Sequence, residues 1–316
     1  MKEAKFVARN KAKWALMESA EKRDADQLAS DFVELSDDLS YARTFYPGSD
    51  TERYLNHLIA AYQTNIYRYR PVQKKGPLDF WLTDLPLLLY QERRTLLFVL
   101  LFFLLSCVIG WFSVLQEDSF VRLILGDAYV NQTLDNIAAG KPMGIYDSTG
   151  EWEMFWRITT NNIRVSFIAF VFGALLSVGS LWILFRNGIM LGAFQCFFYM
   201  QGLLLHSALS VWAHGTFEIT SIVLAGGAGI VMGNSFLFPG TYSRIESFRT
   251  GATRGIKMVV GLVPFFIIAG MIESFVTRYA DAYPWVGAIV VFLSFVGVVG
   301  YFVVYPCRVF RRQKNK

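Results

Sequence analysis

The sequence predicts an all-α protein, a polytopic membrane helix bundle of about six transmembrane helices with an N-terminal cytoplasmic helical region. Three observations predict it. Of 316 residues, 54% are hydrophobic and only 17% are charged, a balance that soluble domains rarely reach. Apolar runs recur that are long enough to cross a hydrocarbon core of about 30 Å at about 1.5 Å per residue. The basic residues gather beside those runs, at Arg186, then Arg244, Arg249, Arg254 and Lys257, then Arg308, Arg311, Arg312, Lys314 and Lys316. With six spans all of these fall on the cytoplasmic side, as the positive-inside bias requires.

The elements follow in order. Residues 1–75 read as a cytoplasmic helical domain, because the first fourteen residues lack the apolar centre of a signal peptide and pass straight into a charged helical pattern. Leu28, Phe32, Leu35, Leu39 and Ala42 recur at the three-and-four spacing of one buried helix face, and Tyr41 and Phe45 widen it. A further helix opens at Ser49 with Glu52 three residues on, the pattern of a capping box, and continues through Leu55, Leu58, Tyr62 and Ile66. Residues 76–94, with Phe80, Trp81, Leu82, Leu85 and Tyr90 between Lys74, Lys75 and Arg93, Arg94, suit an interfacial elbow helix. Residues 95–307 form the transmembrane bundle, with spans at about 95–116, 165–185, 188–205, 215–237, 258–277 and 283–304. Residues 117–160 make an outside loop in which acidic residues outnumber basic ones, part of it amphipathic through Phe120, Ile124, Leu125 and Tyr129. The uncharged run 187–217 is too long for one straight crossing and divides near His206, either as two helices or as a re-entrant pair. Residues 308–316 are a basic cytoplasmic tail.

Composition also excludes. A net charge of +5 and a pI near 9.0 come from residues flanking apolar spans, so nucleic acid is not an expected partner. Cys107, Cys196 and Cys307 stand far apart in apolar surroundings, without metal-ligand spacing. No nucleotide-binding loop is present and no cofactor is expected. Chemistry concentrates in one polar cluster. His214 and Glu218 are four apart and share a helix face; Glu273 sits near the outer end of the fifth span, and Asn162 and Arg164 open the second. All five fall at one height, in the outer leaflet, with Arg164 the obvious partner for one carboxylate. A structural plug that locks helices together, a proton or cation site in a transport cycle, and a metal or hydrolase site remain as readings. For the last, His214 and Glu218 are the candidate ligands, with Glu273 and His206 as further donors, although HxxxE is not a recognised zinc spacing. His57 reads as a surface or packing residue of the soluble helices. Ala225, Gly229 and Gly233 form a small-residue stripe for close helix packing, against a helix of the same chain or, alternatively, a homodimer partner.

These residues carry a resemblance. Asn161 to Arg164, Asn187-Gly188, His214-Gly215 with Glu218, the glycines through Gly233, and Glu273 resemble the stage II sporulation protein M family of bacterial integral membrane proteins, and Trp14 with Tyr41, Ala42 and Arg43 looks like its longer members. The resemblance implies a multi-pass bacterial cytoplasmic (inner) membrane protein. Its founding function is support of peptidoglycan remodelling during spore engulfment, beside cell-wall hydrolases. Relatives in bacteria without spores are often encoded beside a MoxR-type ATPase and proteins with von Willebrand factor A-like domains. The expectation is therefore a non-enzymatic scaffold of an envelope-associated complex, its partners being membrane lipids and other envelope or membrane proteins.

Overall fold

The computed structural model describes residues 2–19, 25–68, 76, 78–140, 150–277 and 284–315. Among them there is helix and no strand, so the chain is an all-α membrane bundle. Contacts divide it into two compact units, residues 1–75 and 76–316.

The first unit is three helices, α1 (Glu3–Ser19), α2 (Ala25–Phe45) and α3 (Asp50–Arg68). Their apolar faces close on Phe6, Trp14, Leu35, Leu39, Ala42, Leu55 and Tyr62. The capping pattern does its work at α3: the Ser49 hydroxyl accepts the Glu52 amide at 3.2 Å, and the Glu52 carboxylate reaches back to the Gly48 amide at 2.7 Å. Buried polar tips find partners, Trp14 Nε1 donating to Asp38 at 2.8 Å and Tyr62 Oη to the Met17 carbonyl at 2.9 Å. Phe45, expected on the buried stripe, is 57% exposed at the end of α2. The Ile66 side chain and Lys74 and Lys75 lie outside the described residues.

The second unit begins with a π-helical turn, Phe80–Asp84, that runs into α4 (Leu85–Gln91). This elbow is docked on the bundle. Leu85 is fully buried, the Trp81 indole donates to the Gly261 carbonyl at 3.1 Å, and Tyr301 and Tyr305 donate to the carbonyls of Trp81 and Leu82. At its end Glu92 pairs with Arg254 at 2.5 Å. The chain then enters α5 (Arg93–Gln116), α6 (Ser119–Leu125), α7 (Asp127–Ala138), α8 (Glu151–Val171), α9 (Val178–Met200), α10 (Leu204–Leu237), α11 (Arg244–Met271), α12 (Pro284–Val298) and α13 (Tyr305–Lys314). A π-helical turn, Ile272–Thr277, extends α11, and another, Val299–Val304, joins α12 to α13.

Among the described residues, five helical stretches are long and apolar enough to cross a membrane: 93–116, 178–200, 204–237, 244–276 and 285–314. The 21 residues of α8 include Glu151, Glu153, Arg157 and Arg164, and α8 lies against α10 and α11 as the sixth member of the bundle. Around α10, which is buried along most of its length, small residues let backbones approach. A side chain at Gly173 would strike the Gly229 backbone and one at Gly226 would strike Leu184, while between α9 and α5 one at Gly188 would strike Ser106. α6 and α7 cap one end, with Val121 and Val130 buried in a cluster that includes Phe197 and Phe198 of α9.

Helix boundaries in the middle of the chain differ from the expected spans at 165–185 and 188–205. The expected break at Arg186, Asn187 and Gly188 falls inside α9, where Gly188 serves close packing on α5 rather than a turn. The real break is at residues 172–177. There Leu176 and Ser177 carry φ of 53° and 67°, left-handed conformations that neither residue type announces. The division expected near His206 comes earlier, at Gly202 with φ of 73°. α9 and α10 are therefore two helices, and His206 sits in the first turn of α10.

Candidate functional site

α10 crosses the centre of the bundle carrying His214 and Glu218 one turn apart on one face. α8 lies alongside and offers Asn162, whose Nδ2 donates to Glu218 Oε1 at 2.5 Å. From the other side comes Glu273, held in the π-helical turn that follows α11. Its Oε1 stands 3.6 Å from His214 Nε2. One donor atom each of His214, Glu218 and Glu273 lies within 4.8 Å of the others. His214 is 4% exposed and Glu273 7%, while Glu218 is half-buried. α12 closes the site over the preceding turn, where Ser294 Oγ donates to the Ala213 carbonyl at 2.8 Å.

Four of the five residues singled out in the sequence are thus brought together, and Arg164 is not. It is exposed on α8, and among the described residues it makes no ion pair with Glu218 or Glu273. The cause is helix geometry: residues two apart on a helix point about 200° apart, so an α8 that aims Asn162 at Glu218 aims Arg164 away. The amide takes the place expected of the guanidinium. His206, eight residues before His214, lies on α10 outside the three donors that converge.

A set of buried hydroxyls lies on the same helix faces and carries no motif. Thr159 and Ser166 lie on the Asn162 face of α8, Ser221 lies one turn past Glu218, and Ser274 follows Glu273. All four are at most 3% exposed, and none of their hydroxyl oxygens has a hydrogen-bond partner among the described residues. The signal was present as spacing, since 159, 162 and 166 repeat at three and four, as do 214, 218 and 221. A separate cavity of about 960 Å³ opens between α5, α10 and α12, lined by Leu97, Leu104, Trp111, Phe295 and Phe302. Its wall is apolar and contains none of the clustered residues.

The small-residue stripe lies one turn and more beyond the cluster on α10. Ala225 is fully buried. A Cβ on Gly229 would meet Ser180 Oγ and the carbonyls of Ala169 and Phe170, and one on Gly233 would meet Ser177 and the Gly173 carbonyl. These neighbours all belong to the turn between α8 and α9 and its flanks.

Comparison with known families places this arrangement. The family model described as Stage II sporulation protein M matches residues 99–278, more than half of the 316. The chain belongs to the stage II sporulation protein M family. The matched segment of this family member contains Asn162, Arg164, His214, Glu218 and Glu273, together with the stripe at Ala225, Gly229 and Gly233. Residues 4–68 match a second family model, described as a domain of unknown function (DUF8413), which coincides with the three-helix unit α1 to α3. No curated protein and no solved structure matches the chain.

Proposed function

We propose that this protein is a non-enzymatic scaffold subunit of an envelope-associated complex in the bacterial cytoplasmic membrane, with both termini in the cytoplasm. The observation that supports it is the division of the chain into two units, each with its own hydrophobic core and its own family match. A three-helix unit that buries its own apolar faces does not need the bundle for stability. On that unit Leu16, Val33 and Phe45 are each more than half exposed, side chains suited to docking a cytoplasmic protein of the same complex. The family resemblance makes a MoxR-type ATPase the partner to test first. Basic Arg311, Arg312 and Lys314 close the chain in α13, as a cytoplasmic end should.

The experiment is replacement of the cellular copy by a chain lacking residues 1–68. The reading expects that chain to insert in the membrane in normal amount and to fail in restoring function. Full restoration would sink it. Orientation is checked with single cysteines at Asp135 and Lys314 in a chain whose three native cysteines are replaced. An impermeant thiol reagent added to whole cells should label position 135 and spare position 314.

A second reading is proton- or cation-coupled transport through Glu218 and Glu273. One observation favours it: the Glu218 carboxylate is held by the neutral amide of Asn162 and not by Arg164, so its charge is left to be met by a mobile cation. Glu218→Gln should then give normal folded protein and no transport phenotype rescue, whereas the scaffold reading expects function to survive wherever folding does.

A further inference from the structure

We infer that His214, Glu218 and Glu273 form a binding site for one divalent transition-metal ion of the zinc class, buried between α8, α10 and α11. This does not rest on the docking role proposed for residues 1–75 and would survive its failure.

The donor set is the first argument. An imidazole and two carboxylates from two separate elements converge so that one ligand atom of each lies within 4.8 Å of the others. A tetrahedral zinc with ligands at about 2.0–2.1 Å holds its donors roughly 3.4 Å apart, so the closure needed is about an ångström, within reach of small side-chain rotations. The closest pair, His214 Nε2 and Glu273 Oε1 at 3.6 Å, is already near that spacing and beyond the usual hydrogen-bond range. The chemistry of the set selects the ion. Imidazole suits zinc, iron, nickel or copper, whereas magnesium and calcium call for oxygen cages with more ligands. The cysteines that would select softer ions are not among the converging donors.

Supporting groups surround those donors. Asn162 fixes Glu218 through Oε1, the outer-shell bond that orients a ligating carboxylate, and leaves its second oxygen for the ion. Thr159 Oγ1 is an independent observation: it is 3% exposed, has no hydrogen-bond partner among the described residues, and a side chain on Gly270 would collide with it. Gly270 is one turn before Glu273, so this hydroxyl lies beside the site, placed to receive a hydrogen bond from water on the metal. Three protein ligands with a fourth position left to water is the pattern of an open zinc site rather than a closed structural one. A divalent ion also answers the cost of carrying two carboxylates into a bundle interior.

The test uses the full chain purified in detergent with an affinity tag free of histidine, stripped with chelator, then titrated with Zn²⁺ in competition with a chromophoric chelator and separately with Co²⁺. The wild type should take up about one equivalent of either ion, with Co²⁺ giving visible absorption bands of a low-coordinate nitrogen and oxygen site. Glu218→Gln and His214→Asn should each lower the affinity at least about tenfold, while Arg164→Gln, outside the set, should not. A monodisperse wild type that takes up no stoichiometric Zn²⁺ or Co²⁺ overturns the inference whatever the variants do. So does stoichiometric binding that persists undiminished in folded Glu218→Gln and Glu273→Gln, which would place the ion elsewhere. Should His214→Asn fail to fold, the wild-type titration and the two glutamine variants decide.

Discussion

At the scale of single residues, the cluster turns on which α8 side chain meets Glu218. Asn162 does, so Asn162→Ala should remove a hydrogen bond to the Glu218 carboxyl and lower stability by about 1 kcal/mol or more, read as an earlier thermal transition in detergent. Arg164→Gln should change folded yield by no more than about 0.5 kcal/mol equivalent. Combining it with Glu218→Gln should show additivity, because the two side chains do not meet. That Arg164 would point away was legible in principle, since the 200° separation from Asn162 needs only helix geometry. The convergence of His214 and Glu218 was legible for the same reason. The approach of Glu273 was legible in level but not in direction, because nothing in Ile272, Glu273 and Ser274 announces the π-helical turn that aims them. In the first unit, Tyr54 donates to Glu18 at 2.8 Å, and burial, followed by that bond, pushes its hydroxyl up from 10.0 to about 12. The neutral form is favoured in the folded state, so this contribution to stability is complete below pH 10 and is lost as pH rises from 10 toward 12. Ultraviolet titration of the phenolate, wild type against Tyr54→Phe, checks it.

At the scale of elements, helix contact depends on where side chains are missing. Gly173 and Gly229 meet backbone to backbone, and Gly229→Val should cost roughly 3 kcal/mol or more, because besides the Ser180 hydroxyl it strikes the carbonyls of Ala169 and Phe170, which are main chain and cannot rotate aside. Gly48, at φ of 76° with open space around it, is the control: an alanine there would meet strain from its backbone conformation but no collision. The yield of monodisperse protein separates the two. The small-residue stripe could be read from composition and period, whereas the central helix starts at Leu204, well before the span expected at 215–237. The turn at residues 172–177 could not, since an apolar stretch without proline or charge gives no punctuation, and its left-handed residues are a leucine and a serine. A glycine that reads as a turn, Gly188, was instead a packing surface.

At the scale of the whole molecule, the two units predict separable behaviour. Residues 1–75, produced alone, should keep a helical circular-dichroism spectrum with a cooperative transition, since Phe6, Trp14, Leu35, Leu55 and Tyr62 already form a closed core. A non-cooperative spectrum would mean that the bundle completes it. Within the bundle, α8 and the turn that follows it pack along α10, and two of the contacts fix the register: Asn162 meets Glu218, and eleven residues further along the chain on both sides Gly173, just past the end of α8, meets Gly229. Equal spacing means that the two run in the same direction and in fixed step. Such a pair behaves as a splint held by two pins. A slide by one helical turn, about 5.4 Å, would pull both pins together, and rotation of either helix about its own axis would pull the polar one. Any rearrangement of the bundle must therefore carry α8 and α10 as a single rigid piece and place its hinge elsewhere, at Gly202 on one side or in the segment between α10 and α11 on the other.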